Sequence, residues 1–400
     1  MDEAVAYRAD EKDGGIERSS PSEGSNRSPS LPSSTPNRES KILAIATQGS
    51  GGSDEARMAR LLERTKARFY PFDRSAKKRC FREILGSIKN DRPDLVVMEG
   101  TGTAGGVAIM LGKLLYGVPY VVSSGDAVGP FLASFHPLFK SVFNLYERLL
   151  CRYAAGFIGW TPYLVGRALT FGTPRAMTAP GFSLSRRDPK EQTEARRTIR
   201  KRLGIAPEAI VVGVAGSLRW NRRYGYCYGS ELVKALVRVD RPDLVVLIIG
   251  SGDGRTKLEE IAGSALGSRC ILTGQVPWNE VGDYLAAIDV GSLPQSVDQV
   301  GSFRFTTKIA EYVAAGMPII VNQIPLAYDL DTGWMWRMPG ESPWDERFLA
   351  ALAEFLRKLT RDEIDRRRAL VPADLPEFDA ERQIDRVTAF IQDLIENQNA

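Results

Sequence analysis

Histidine is nearly absent from this chain, since His136 is the only one among 400 residues. A zinc site that needs several histidines is therefore excluded, and a Ser-His-Asp triad would have to use this single side chain. Its aromatic and proline neighbours, in the segment SFHPLF, favour a packed histidine over a catalytic base. We expect His136 to be structural.

Cysteine is scarce as well, and its four copies lie far apart at Cys80, Cys151, Cys227 and Cys270. No CxxC pair exists, and this spacing favours buried free thiols in a reducing compartment over disulfides. The chain begins MDEAV, without the basic and then apolar segment that is typical of a signal peptide. These features predict a cytoplasmic protein.

Neither sign of charge dominates, because 53 basic and 49 acidic residues leave a formal net charge of +4. A balance so near to neutral gives no electrostatic reason to expect nucleic acid as a partner. The most apolar stretch, residues 104–122, contains Lys113 and several glycines, which predicts a helix and a strand and not a membrane span. Residues 1–40 contain nine serines and four prolines, and they are predicted to be a disordered tail.

From residue 41 onward, short apolar runs alternate with helical patterns. The runs are KILAIAT, RFYPF, LVVMEG, YVVSS and FIGW in the first half, and AIVVGVAGSL, LVVLIIG, CILTG, DVGSLP and PIIVN in the second. Such alternation predicts parallel sheets covered by helices on both faces. We therefore predict an α/β protein with two tandem doubly wound, Rossmann-like domains. Their predicted bounds are 41–182 and 183–379, with a last helix in 380–400.

Two helix starts carry recognisable signals. Ser53 is predicted to cap the first helix, and Thr161 followed by Pro162 is typical of a helix that begins with proline at its first position.

Ligands of open α/β sheets bind beyond the carboxyl ends of the strands, so the loops there are the candidate sites. The first domain has three such loops: QGSGGSDE at 48–55, GTGTAGG at 100–106 and SSGDAVGP at 123–130. In the first, Gly51 and Gly52 let a ligand approach the backbone, although a tight turn fits equally well. In the second, close packing on the sheet is favoured over ligand binding. In the third, Asp126 is expected either to face the cleft or to cap the next turn.

A basic loop, AGSLRWNRRYG, follows the first strand of the second domain at residues 215–225. Gly216 and Ser217 are small enough to bring the backbone close to a ligand. The same loop contains three guanidinium groups that suit an anion, those of Arg219, Arg222 and Arg223. We favour an anion site over a solvated basic loop.

Lys308 and Glu311 stand three residues apart in FTTKIAEYVAAGMPIIV, so they share one face near a helix start. Lys308 can meet a phosphate, and Glu311 can accept hydrogen bonds from sugar hydroxyls. A surface ion pair between the two is equally compatible with this spacing.

Four segments of the second half resemble, in this order, the donor-binding domain of GT-B glycosyltransferases of the retaining family 4: AGSLRWNRRYG, LIIGSGDGRTKLEE, ILTGQVPWNEVGDYLAAIDVGSLP and TTKIAEYVAAGMPIIV. The first half is similar in outline, with PYVVSSGD, GFIGWTPYLVGRAL and TAPGF at the hinge. The likeness covers residues 41–395 and is most specific around Lys308–Pro318. It implies GT-B architecture, in which the last helix crosses back to the first domain.

The resemblance also implies roles for the candidate residues. Catalytic roles, in lining the sugar and acceptor pocket or in stabilising the departing diphosphate, are implied for Asp126, Arg219 and Lys308. Donor-binding roles are implied for Gly51, Gly52, Gly216, Ser217, Arg222, Arg223 and Glu311.

Three features depart from the family pattern. The usual single lysine of the diphosphate loop is represented only by an arginine, Arg222 or Arg223, and two further positions differ. Phe303 stands eight residues before Glu311, where the family usually has a second acid, and Gly125 precedes Asp126, where many members have a histidine. The DxD triplet at Asp329–Asp331 is predicted to be a polar turn, not a metal site.

The implied activity is transfer of a sugar from a nucleotide-diphosphate sugar to a hydroxyl acceptor, with retention, in polysaccharide or glycoconjugate synthesis. The acceptor would be a glycan, a lipid-linked molecule or a small molecule. No cofactor and no metal are implied, because arginines and Lys308 would replace the metal. The alternatives are a nucleotide-sugar epimerase and a catalytically degenerate protein that binds nucleotide sugar or acts as a scaffold.

Residues 131–153 mix aromatic and leucine side chains with Lys140, Arg148 and Arg152, against a single glutamate. Within them, Leu138, Val142, Leu145 and Leu149 line one helix face. Packing of that face on the sheet is favoured, and peripheral contact with the inner face of an anionic membrane is the alternative.

Overall fold

The computed structural model describes residues 40–182, 188–304, 308–373 and 375–397. The predicted tail lies outside the described residues except for Ser40. Two parallel sheets of six strands each dominate the architecture, and the predicted α/β fold with two Rossmann-like units is confirmed.

The first sheet is built from the apolar runs of the first half, whose side chains are largely buried on both faces. Its strands are β1 (Ile42–Ala46), β2 (Arg68–Tyr70), β3 (Leu95–Glu99), β4 (Tyr120–Ser124), β5 (Gly156–Gly159) and β6 (Ala176–Thr178). They are all parallel, in the order β2-β1-β3-β4-β5-β6. The register places Ala44 of β1 beside Val97 of β3.

Six helices cover this sheet: α1 (Ser53–Leu61), α2 (Lys77–Asp91), α3 (Thr103–Tyr116), α4 (Val128–Phe135), α5 (Lys140–Arg152) and α6 (Pro162–Thr170). The cap of α6 is confirmed, since the Thr161 hydroxyl accepts from the Leu164 amide at 3.1 Å. The cap predicted for α1 is wrong, because α1 begins at Ser53 and Gly52 is the capping residue.

The second sheet repeats the pattern with β7 (Ile210–Ala215), β8 (Leu244–Ile249), β9 (Cys270–Leu272), β10 (Val290–Leu293), β11 (Ile319–Asn322) and β12 (Met335–Met338). Its order is β12-β11-β10-β7-β8-β9, again parallel. Two strands, β6 and β12, are missing from the predicted set. They are three and four residues long, and β12 carries the charged Arg337.

The helices of the second half are α7 (Pro189–Arg202), α8 (Ser230–Leu236), α9 (Arg255–Ala262), α10 (Val281–Ala286), α11 (Lys308–Ala314), α12 (Pro325–Asp329), α13 (Glu346–Lys358), α14 (Arg361–Arg368) and α15 (Ala380–Glu396). Of the helices described, none combines the length and the apolar composition that crossing a bilayer requires.

Helix α15 packs on the first sheet. Its Val387 and Ile391 are buried in one cluster with Ile42 of β1. Its Gln383 side chain makes two hydrogen bonds with the backbone of Gly181, accepting at 3.0 Å and donating at 2.5 Å. Apolar burial and a paired buried amide together hold this helix against the strands.

Helix α5 exposes the apolar face that was predicted to pack on the sheet. Val142 and Leu145 are exposed, and the buried residues of α5 are Glu147, Leu150 and Cys151. Glu147 is buried because the guanidinium of Arg167 donates to both of its carboxylate oxygens, at 2.8 and 2.6 Å. The prediction of a sheet-facing apolar stripe is therefore wrong.

The prediction of a packed His136 is wrong, whereas the prediction of buried free cysteines is confirmed. His136 is exposed, with its ring centroid 6.3 Å from that of Phe143, so the expected packed environment is absent. The four cysteines are all buried and free, as predicted.

A buried charge cluster holds the second sheet at the end opposite to the loops that carry candidate residues. Asp289, immediately before β10, is fully buried and accepts from Arg196, Arg200 and Arg361 at 2.6–2.7 Å. Burial alone would raise the pKa of Asp289, but the arginines outweigh it and bring that pKa down to about 2.

Candidate functional site

Both sheets have a point where the strand order reverses, and ligands of such sheets bind at the carboxyl ends of the strands there. In the first sheet this point lies between β1 and β3, and in the second between β7 and β10. The segments that follow these strands contain the candidate residues except Asp126, which follows β4. The chain topology thus places the predicted loops at the expected positions.

The loop after β1 is a tight turn stabilised by Glu55. Gly49 and Gly51 have φ of 113° and 75°, a region that favours glycine. The Glu55 carboxylate accepts from the Gly51 amide and from the Ser50 hydroxyl. Ser50, Gly51 and Gly52 also line a pocket of about 330 Å³. A ligand at the Gly51 amide would have to displace Glu55.

The loop after β3 packs closely on the first strand, as favoured from its sequence. A Cβ at Gly100 or Gly102 would lie 2.7 or 2.5 Å from side-chain atoms of Thr47. The Thr47 hydroxyl donates to the Glu99 carbonyl at 2.9 Å and accepts from the Gly102 amide at 3.1 Å. These glycines serve the contact between β1 and α3.

Behind these loops lies a buried ion pair that the sequence analysis missed. The Arg57 guanidinium donates to Glu99 Oε2 at 2.7 Å and lies 4.3 Å from the Trp160 ring centroid. Glu99 also accepts from the Ser123 hydroxyl at 2.6 Å. Burial raises the pKa of Glu99, and the charge of Arg57 opposes this. Arg57 stands one turn into α1, and nothing local in the sequence links it to Glu99.

Asp126 faces the second half of the chain. Its carboxylate accepts from Arg304 Nε at 2.7 Å, while its backbone amide donates to the Ser124 hydroxyl. Burial lowers the pKa of Arg304, but the Asp126 carboxylate more than offsets this and the net pKa is raised. Of the two expectations for Asp126, the orientation toward the other half is the observed one. Arg304 was missed, although it stands only four residues before Lys308.

Gly216, Lys308 and Glu311 come together at the reversal point of the second sheet. A Cβ at Gly216 would lie 3.1 Å from Lys308 Cε, so a larger residue there requires the lysine side chain to shift. Lys308 Nζ lies 4.6 Å from the centroid of the Tyr228 ring. Burial raises the pKa of Glu311, and the charge of Lys308 opposes this. The surface ion pair considered for Lys308 and Glu311 is not formed between these two described side chains.

The three arginines of the basic loop point to solvent. Arg219, Arg222 and Arg223 are exposed, and within the described ranges none of them forms an ion pair. The loop itself is fixed, since the Leu218 amide donates to the Ser251 carbonyl at 2.9 Å. Ser217 is exposed beside them. The structure does not bring these guanidinium groups into contact with Lys308.

A buried polar cluster lies under the same loops, and the sequence analysis did not single it out. Ser292 at the end of β10 donates to Glu231 Oε1 at 3.0 Å. The Tyr226 hydroxyl faces the Glu231 carboxylate in the same buried cluster, and the Asn322 amide nitrogen is buried without a hydrogen-bond partner. Burial raises the pKa of Glu231 to about 7. A glutamate in the first turn of a helix is so common on protein surfaces that its sequence carries no signal of burial.

The DxD triplet is a polar turn, as predicted. Asp331 Oδ1 accepts from the amides of Gly333 and Met335 at 2.8 and 3.1 Å. Asp329 accepts from the Tyr163 hydroxyl. Within the part of the chain that the structure describes, no three acidic, histidine or cysteine side chains are grouped closely enough to hold a metal ion.

Several known proteins are similar to this chain. Residues 209–357 match the family model for glycosyl transferases group 1. HepE (Alr3699) of Anabaena, crystallised with UDP-glucose, superposes with a TM-score of 0.64 at 16% identity, over 88% of this chain and 99% of HepE. This chain has the fold of the GT-B glycosyltransferases.

Two further GT-B structures are similar. Sucrose-phosphate synthase of Thermosynechococcus elongatus gives a TM-score of 0.62 at 13% identity, over 89% of this chain and 100% of the enzyme. MnaA of S. aureus, solved with UDP, superposes with a TM-score of 0.57 at 15% identity, over 88% of this chain and 97% of MnaA. No curated protein matches the chain by sequence.

The GT-B framework gives both departures from the family pattern a structural context. A Cβ at Gly125 would lie 2.7 Å from the Trp160 ring, so a larger side chain there needs that tryptophan to move. Phe303 packs against the first sheet, with its ring 5.3 Å from the Arg167 guanidinium. Its carbonyl accepts from the Thr161 hydroxyl at 2.8 Å. Phe303 therefore contributes to the contact between the two GT-B halves.

Proposed function

We propose that this protein transfers a glycosyl unit from a nucleotide-diphosphate sugar to a hydroxyl acceptor, with retention of configuration. The observation that carries the proposal is the packing of Lys308 against Gly216 near the half-buried Glu311, at the strand-order reversal of the second sheet. A cation beside a glycine suits a phosphate, and a half-buried carboxylate suits sugar hydroxyls.

The donor would lie across the second sheet. Lys308 and the Ser217 backbone would bind the diphosphate, and Gly216, whose amide donates to the Ile249 carbonyl at 2.9 Å, would leave room for it. Glu311 would accept from the ribose hydroxyls. Neither Arg222 nor Arg223 forms an ion pair in the described structure, although the Arg223 guanidinium lies 5.3 Å from the Tyr224 ring centroid. Both exposed side chains would turn toward the anion. HepE binds UDP-glucose and MnaA binds UDP, which supports a uridine nucleotide as the first donor to test.

In the reaction, the bond from the anomeric carbon to the diphosphate oxygen breaks, and the bond to the acceptor oxygen forms on the same face. Negative charge grows on the leaving diphosphate, and Lys308 and Arg219 would stabilise it without a metal. A departing phosphate oxygen would take the acceptor proton, so no histidine is needed. Asp126, held by Arg304, would line the pocket for the transferred sugar and the acceptor. Gly51 and Gly52 would approach the donor from the first sheet.

For the biological setting we propose polysaccharide or glycoconjugate synthesis in the cytoplasm, at the periphery of the inner membrane face. The acceptor would be a glycan hydroxyl, on a lipid-linked or a small molecule. Nucleic acid is not part of this proposal.

A thermal-shift screen of the full chain with UDP-, GDP-, ADP- and CMP-linked sugars tests the donor site. Binding to the folded state raises the melting temperature, so one nucleotide class should stand out at millimolar concentration. Radiolabelled sugar transfer with the donors that bind then tests turnover. No shift with any donor would contradict the donor site.

A second candidate is a degenerate GT-B protein that binds nucleotide sugar without turnover. Phe303 and Gly125 favour it, together with the engagement of Asp126 by Arg304. Donor binding without transfer and without slow hydrolysis would select this candidate over the first.

A further inference from the structure

An apolar surface on the first half of the chain is left open to solvent. It comprises Phe135 at the end of α4, Leu138 and Phe139 in the following single turn, and Val142 and Leu145 of α5. Leu138 is 97% exposed, and Val142, Leu145 and Phe135 are 60%, 57% and 57% exposed. Several large apolar side chains exposed together are typical of an interaction site.

The charges beside this surface have one sign. Lys140, Arg148 and Arg152 of α5 are exposed, and none of them forms an ion pair among the described residues. Between residues 100 and 155 the only acids are Asp126 and Glu147. Asp126 is bound by Arg304 and Glu147 by Arg167. No unpaired carboxylate in this segment opposes the three cations.

We propose that this apolar surface binds peripherally to an anionic lipid bilayer. Leucine and phenylalanine side chains beside lysine and arginine are the composition of helices that lie in the interface of a membrane. The cations would meet anionic headgroups, which attract basic segments near the surface. The proposed partner is the bilayer itself, because an apolar protein partner would not require the three exposed cations of α5, which form no ion pair among the described residues.

The apolar surface is also connected to the ion pair of Asp126 and Arg304. The Arg304 guanidinium, bound to Asp126, lies 5.7 Å from the centroid of the Phe131 ring. Phe131 meets Phe135 edge to face at 5.3 Å. A contiguous row of side chains thus joins the proposed acceptor side of the cleft to the surface. A protein bound in this way would take its acceptor from the membrane.

Flotation of the full chain with vesicles tests the proposal. We expect binding to vesicles of phosphatidylcholine with phosphatidylglycerol, and little binding to phosphatidylcholine alone. The double variant Leu138→Ser/Val142→Ser should reduce the bound fraction at least about ten-fold, since each buried aliphatic side chain contributes on the order of a factor of ten. Arg148→Glu/Arg152→Glu should abolish the preference for anionic vesicles.

Matched controls carry the same changes at exposed positions elsewhere. Val237→Ser/Leu266→Ser and Lys77→Glu/Lys78→Glu should bind as the unaltered chain does. Circular dichroism and the melting temperature confirm that each variant folds. Equal flotation of all variants, or no flotation at any anionic lipid content, would overturn the proposal. So would a dimer in solution that Leu138→Ser/Val142→Ser dissociates, because a second copy would then cover the surface. Flotation needs no turnover, so its outcome is separate from that of the donor screen.

Discussion

Arg304 and Asp126 form an ion pair at 2.7 Å between parts of the chain that are 178 residues apart in sequence. Asp126 follows β4 in the first sheet, and Arg304 precedes α11 in the second half. The pair joins the two GT-B halves directly. Breaking this ion pair should therefore weaken the contact between the two halves.

We expect the two residues to be energetically coupled. In a double-mutant cycle with Arg304→Ala and Asp126→Ala, the coupling in the free energy of unfolding should be about 0.5–3 kcal/mol, as is usual for contacting residues. Urea denaturation measures it. The exposed pair of Arg68 and Asp91 is the control and should couple more weakly. If the effects of Arg304→Ala and Asp126→Ala on the free energy of unfolding simply add, the ion pair between them is contradicted.

Lys308→Ala should reduce sugar transfer about 10²–10³-fold, the usual cost of removing one group that stabilises charge in a transition state. Lys308→Arg should retain part of the activity, because it keeps the charge. The control Lys257→Ala removes a surface lysine that pairs with Glu260 and should have no effect. Steady-state transfer with the best donor is the measurement, and unchanged turnover would reject the role of Lys308.

Gly216→Ala should weaken donor binding without unfolding the protein. The added Cβ would lie 3.1 Å from Lys308 Cε and 3.2 Å from Tyr228 Cδ2, and the flexible lysine would move aside. We expect donor affinity to fall at least about ten-fold, or roughly 1.4 kcal/mol. Gly86→Ala is the control, since nothing lies within 4 Å of its Cβ. It should instead stabilise α2 by about 0.5–1 kcal/mol. Equal donor affinity in both variants would argue against the site.

Glu231 should make stability fall as pH rises. Burial raises its pKa from the ordinary 4.5 to about 7, so between these values the unfolded chain loses a proton that the folded chain keeps. The contribution of Glu231 to the free energy of unfolding is therefore fully present below about pH 4.5 and is lost as the pH rises through about 7. The total loss is up to roughly 3 kcal/mol. Glu231→Gln should remove this dependence in urea denaturation at a series of pH values. Parallel pH profiles for the variant and the unaltered chain would contradict it.

Asp289→Asn should be among the most destabilising single changes. It leaves several buried or half-buried arginines without their carboxylate, and breaking such a buried pair costs about 3–5 kcal/mol. Because the pKa of Asp289 is lowered to about 2, its contribution is present above about pH 4 and is lost as pH falls through 2. Asp243→Asn breaks a more exposed pair with Arg241 and should cost under about 1 kcal/mol.

Much of the fold could be read from short-range pattern. Apolar runs such as LVVLIIG became buried strands because each is apolar on both faces. Lys308 and Glu311 were found because they are three apart on one short helix. By contrast, β12 reads MWRM, and its exposed Arg337 hides the strand pattern. The apolar stripe at Leu138, Val142 and Leu145 was expected to pack on the sheet, but it is exposed. Periodicity identifies an apolar helix face but not what covers it.

The sequence alone determined the order and type of most elements, though not the short strands β6 and β12, since hydrophobic periodicity and turn residues act over a few neighbours. Tertiary structure decided which distant side chains meet: Arg57 with Glu99, Asp126 with Arg304, and Asp289 with its arginines. It also decided that the apolar face of α5 stays open to solvent. Such contacts depend on strand order and on the packing of helices across the whole sheet, and local sequence does not encode either one.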